Sequence, residues 1–180
     1  MTINMEEFLA LAREAGFDNV GEMDVQTIEL IPEVRAACET GRCPAYNKNW
    51  SCPPALGTLE ECDKVIKAYK RGAILQSIGE IEDDYDFEGM MDVEERHRKN
   101  FYAFAKKMKA QYPDMMFIGD GHCTLCEKCT YPDEPCRFPN EKIASMEAMG
   151  MIVNNVCKSN GMPYYYGPGT FTYTGCVLVD

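Results

Sequence analysis

The sequence has one tryptophan, two histidines and no apolar run near the 18 residues that a membrane-spanning helix needs. It also lacks a glycine-rich nucleotide fingerprint, a Walker-type loop and any Ser, His, Asp order, so nucleotide-dependent and serine-hydrolase chemistry find no motif in it. Basic residues are few: 18 stand against 29 acids, a net charge of −11. That argues against a nucleic-acid partner and against an anionic membrane surface, since both need a basic face. Bases are missing altogether from residues 80–95, where nine acids fall; elsewhere 20 acids face 18 bases. The stretch reads as a solvated loop, with a docking face for a basic redox partner as the alternative.

The opening residues 1–16 have no basic start and no apolar core, and they read as an amphipathic helix rather than an export signal. That sets the meaning of the one abundant and unusual residue, cysteine, which occurs ten times in 180 positions. In an exported domain these would be disulfides. A cytoplasmic chain keeps its thiols reduced, and so many reduced thiols in one small domain point to metal.

Periodicity gives an α/β protein: a single layered domain over 1–180, with a mixed central sheet flanked by helices and two cysteine-rich metal-binding loops. Asn4 with Glu7 starts a helix that Gly16 ends. Residues 18–31 read as a strand followed by a helical turn at 33–37 behind Pro32. Thr58 with Glu61 makes a capping box for a helix with Leu59, Cys62, Val65, Ile66 and Tyr69 on one side. Strands are expected at 73–81, 115–119 and 170–179. A long helix is expected from Asp92 to about Gln111, and a second, starting at Asn140, to about Ser159 with a break near Gly150.

The aperiodic segments hold the chemistry. Residues 121–139 contain Cys123, Cys126, Cys129 and Cys136, spaced C-x2-C-x2-C-x6-C. Three thiols at x2 steps let a tight loop wrap around one small inorganic object. The bacterial ferredoxin run starts the same way, although its last gap is shorter and its last cysteine serves another cluster. Zinc is the rival, but it favours two separated cysteine pairs. The earlier loop, 38–57, carries Cys38, Cys43 and Cys52 with prolines at 44, 53 and 54, which stiffen it. It reads as a second metal site at the same end of the sheet. Trp50 either roofs a site or packs in the core.

Seven cysteines for two sites leave one ligand short. The eighth is an open position, His122, Cys62, a carboxylate or a small molecule, and Cys136 can serve either set. Cys62, Cys157 and Cys176 sit on apolar helix or strand faces and read as buried hydrophobes. His97, on an apolar helix stripe, reads as a hydrogen-bonded, half-buried histidine. Arg137 can offset thiolate charge, and Tyr164, Tyr165 and Tyr166 read as core and turn.

Val34-Arg35, Cys38, Cys43-Pro44, Tyr46, Trp50, Cys52-Pro53-Pro54, the Cys123 to Cys136-Arg137 run with Pro139, and Ser145-Met146-Glu147-Ala148 together resemble a prokaryotic family of predicted metal-binding, cysteine-rich proteins. The likeness spans about residues 30–179 and implies the same seven cysteines as ligands. The expected function is an iron–sulfur protein, with one [4Fe–4S] cluster on the second loop and a second candidate cluster on the first. It would pass electrons to a redox partner protein in the cytoplasm. The rivals are an enzyme with an open cluster iron and a zinc-stabilised binding module.

Overall fold

The computed structural model describes residues 3–180. Five strands form one mixed sheet in the order β1-β2-β5-β3-β4: β1 (Asn19–Asp24), β2 (Arg71–Glu80), β3 (Met116–Gly119), β4 (Ala144–Ser145) and β5 (Thr170–Val179). Neighbours are antiparallel except β3 with β4. The long β2/β5 pair forms the centre, with Arg71 opposite Val179 and Glu80 opposite Thr170.

Side chains alternate along these strands, so each face of the sheet buries its own set. Ala73, Leu75, Val177 and Val179 face one cluster, which takes Phe8 and Ala12 from α1 (Met5–Glu14) and Phe101, Phe104 and Met108 from α4 (Phe87–Lys109). Ile74, Cys176 and Leu178 face the other, with Cys62 and Ile66 of α3 (Leu59–Lys67) and Val156 and Cys157 of α5 (Val153–Ser159). A short α2 (Pro32–Ala37) leads into the first cysteine loop. Gly175 and Gly79 let α4 lie close to the sheet, because a Cβ at these positions would meet Phe101 at 2.5 Å and Val93 at 2.1 Å.

The expected caps at Asn4 and Thr58 are present, the latter as a full capping box with Glu61. Three boundaries differ from expectation. The first strand stops at Asp24, whose carboxylate accepts from the Gln26 amide and turns the chain into a short 3-10 segment. Helix α4 starts at Phe87 rather than Asp92, because Asp86 caps it through the Gly89 amide at 2.9 Å. Half of the acidic segment is therefore helical, and it leaves Tyr85, Phe87 and Met91 exposed among carboxylates. Finally, 140–152 is not helix. It crosses as β4 and a set of turns, with Ile31 donating to the Gly150 carbonyl at 2.7 Å. No helix among the described residues is long and apolar enough to cross a membrane.

Candidate metal centre

Strand β3 ends at Gly119, and the second cysteine loop leaves from there. The first loop runs between α2 and α3 and folds over it. A buried polar knot joins the two. Asn49 Oδ1 accepts from the amide and the hydroxyl of Ser51, both at 3.0 Å. Ser51 Oγ then accepts from the Cys123 amide, and Asn49 Nδ2 donates to the Cys123 carbonyl, each at 2.9 Å. Farther out, Trp50 Nε1 donates to the Glu134 carbonyl at 3.0 Å and Lys142 Nζ to the Trp50 carbonyl at 3.2 Å. The expectation that both loops lie together is met.

Cys123, Cys126, Cys129 and Cys136 line one cavity of about 20 Å³, walled by Trp50, Leu125 and Phe138, with Arg137 and Lys142 beside it. The Trp50 amide donates to Cys129 Sγ at 3.5 Å, as backbone amides do to metal-bound thiolates. Trp50 thus covers the second set from the first loop, and its ring meets Tyr131 edge-on. The same run also lines an outer cleft of about 440 Å³, together with Lys48 and His122. His122 is exposed and lies outside the inner cavity.

Cys38, Cys43 and Cys52 form the second group. Burial raises the Cys52 thiol to about 11, with further upward pressure from Cys43, Cys38 and Cys123 against the bond from Ser51. Cys38 is raised by burial and then by Cys43, with Arg35 opposing and the Glu147 carboxylate adding to the rise. Glu147 thus stands in the field of the first set. Sequence reasoning gave it no role, although it lies in one of the family-like motifs.

Among the described residues, no three His, Cys, Asp or Glu donors converge closely enough to share one metal ion. A tetrahedral zinc shell sets its sulfurs only about 3.8 Å apart, so a single ion would draw the loop inward. The donor chemistry fits a thiolate-bound metal or cluster: four thiols on one cavity, an amide aimed at a sulfur, aromatic cover and two cations nearby.

Cys157 and Cys176 are fully buried and Cys62 nearly so, among core side chains as expected. Arg35, itself buried, reaches Cys62 Sγ at 3.6 Å and the Gly57 carbonyl at 2.6 Å, tying α2 to the end of the first loop. His97 departs from expectation: it is wholly rather than half buried. Tyr164 and Tyr165 are exposed, whereas Tyr166 donates to Gln76 Oε1 at 2.6 Å beneath the sheet edge. Asn49, Ser51 and Lys142 were not singled out from sequence. Short polar side chains on both sides of the lone tryptophan were the available signal for the first two.

Fold and site together define a mixed α/β protein that carries two adjoining thiol sets at one end of its sheet. The family model described as "Predicted metal-binding protein (DUF2284)" matches residues 21–179, and the chain belongs to that family. Searches of the curated proteins and of the solved structures return no match.

Proposed function

We propose that this metal-binding protein is an iron–sulfur protein that passes single electrons. Its primary centre would be a [4Fe–4S] cluster on Cys123, Cys126, Cys129 and Cys136. The observation that carries this reading is the shared cavity of those four thiols, with the Trp50 amide directed at Cys129. When bound, such a cluster supplies one-electron chemistry at a potential set by charge, sulfur hydrogen bonds and solvent exposure. The chain's own part is to hold four thiolates, to donate from Trp50, to exclude water with Trp50, Leu125 and Phe138, and to offset charge with Arg137 and Lys142. Free thiols throughout fit a reducing cytoplasm. For a partner we propose a basic redox protein meeting the 80–95 segment, where exposed Tyr85, Phe87 and Met91 add apolar contact to the carboxylates.

A second reading rests on the first set, which offers three thiols, with the Glu147 and Glu39 carboxylates in the field of Cys38. A centre with fewer than four thiolates leaves a position for a small substrate, and a metal so placed serves as a Lewis acid. The experiment is anaerobic purification with iron, acid-labile sulfide and zinc analysis. Iron and sulfide in equal amounts, four of each per cluster, support the proposal. A colourless protein with stoichiometric zinc overturns it.

A further inference from the structure

Asp120 lies between β3 and the second cysteine loop, three residues before Cys123. His97, in the middle of α4, faces it. The His97 ring meets Phe17 edge-on and stacks on Phe101 and Tyr173. Its Nδ1 is 3.0 Å from Ser77 Oγ, and its Nε2 faces Asp120 Oδ1 at 3.8 Å. On the far side, Asp120 Oδ2 is 3.8 Å from Arg98 Nη2, which also pairs with Glu94. Tyr173 donates to the same glutamate at 3.2 Å.

His97 Nε2, Arg98 Nε and Asp120 Oδ2 are buried without a hydrogen-bond partner, and they are the side-chain atoms in that condition among the described residues. Leaving a buried polar group unsatisfied is costly, so three at one spot call for a physical reason. The charges say what. Arg98 is positive, Glu94 and Asp120 are negative, and a neutral His97 leaves the group one positive charge short. The remaining neighbours do not supply it. Arg96 is engaged by Asp18 at 2.8 Å, Tyr173 is neutral, and Glu147 adds to the negative field on Asp120. One proton makes the group neutral and gives Nε2 and Oδ1 a hydrogen bond to close on. Burial acts in keeping with this, pushing the carboxyl up to about 6 and the imidazole down to about 3.

We propose that His97 Nε2 and Asp120 Oδ1 hold one exchangeable solvent-derived proton, and that its binding is coupled to metal loading of the adjacent cysteine loop. The proton site stands on the geometry alone; the coupling rests on the metal reading above. The connection is short: Tyr102, one turn beyond Arg98, lies in the field of Cys123, Arg98 and Asp120 alike. Four thiols that release their protons to one Zn²⁺ gain two net negative charges, which raises proton affinity at the pair. Linkage makes the effect reciprocal.

The test uses the full chain carrying His122→Gln, which leaves His97 as the only histidine. The ring nitrogens of His97 and the carboxyl carbon of Asp120 are followed by NMR against pH, metal-free and with Zn²⁺ as the probe. One transition common to both groups, moving upward by roughly one pH unit on zinc loading, is the expected result. Separate midpoints, or no transition, overturn the proton site. A common midpoint that stays put while zinc is bound overturns the coupling. If zinc does not bind, the metal reading and the coupling fail together, and the metal-free titration still decides the proton site. Asp120→Asn is expected to abolish the His97 transition; if that variant does not fold, the carboxyl signal of Asp120 itself carries the decision.

Discussion

The Ser51 hydroxyl accepts the Cys123 amide proton at 2.9 Å and sits in turn on Asn49 Oδ1, so residues 72 apart in sequence join the two cysteine loops through a buried hydroxyl. Ser51→Ala strands the Cys123 amide and is expected to cost about 1–3 kcal/mol. Thermal unfolding gives the cost. Amide exchange at Cys123 should quicken at the same time; unchanged exchange would show that the latch does not hold the loop.

The second prediction separates ligand from core cysteine. Cys126→Ala is expected to lose most of the metal held by the 123–136 set without unfolding the sheet. Cys176→Ala, deep between β2 and β3, is expected to keep the full metal content and lose about 1 kcal/mol or more of stability. Metal per chain and denaturant midpoints on both variants check this.

The first set is tested by Cys43→Ser combined with Cys52→Ser, prepared anaerobically. About half the iron should be lost if each loop holds one cluster. Full iron content in a folded variant would make those thiols structural. A pH signature accompanies metal uptake: Cys52, raised to about 11 by burial, is protonated at neutral pH and must release its proton to bind. Affinity at the first set should therefore strengthen by about tenfold per pH unit for each proton released.

Asp120 predicts a pH-dependent stability. Its folded carboxyl is raised from 3.8 to about 6, so the folded state holds the proton more tightly than the unfolded one does. The stabilisation this gives is present below pH 4 and is lost as pH rises through 6. Two units correspond to roughly 3 kcal/mol. Asp120→Asn lacks this dependence, so its stability relative to the unaltered chain should improve by about that much between pH 4 and pH 8. Denaturant unfolding at both pH values measures it, and parallel profiles would contradict the raised carboxyl.

Packing of α4 gives the last prediction. Gly175→Ala puts a Cβ 2.5 Å from the Phe101 ring and 3.1 Å from the Ile118 carbonyl, and is expected to cost about 1–3 kcal/mol by overpacking. A neutral result in chemical unfolding would mean that α4 can lift away from the sheet at little cost.

Elements with a strong local signal were readable from sequence. The Thr58 capping box, the β-branched run at 170–179 and the apolar placement of Cys62, Cys157 and Cys176 all depend on near neighbours, and all appear as expected. The Asn140 helix failed because Met146 and Met149 sit at helical spacing for another reason: they fill the α3/α5 face from a chain of turns that β3 holds in place through β4. Asp92 reads as the start of the long helix, while Asp86 does the capping earlier. At the site, the cysteine spacing was legible. The contact between loops was not, since Asn49, Ser51 and Trp50 find their partners more than 70 residues away.

In chain order β5 is the last strand, yet it lies between β2 and β3. A ribosome must therefore produce residues 170–179 before the two halves of the sheet can meet and the cysteine loops can be brought together. Chains cut short before that strand would carry every motif thiol and have no scaffold to converge them. Loss of Thr170–Val179 alone would part β1 and β2 from β3 and β4, and with them the elements from which the two cysteine loops leave.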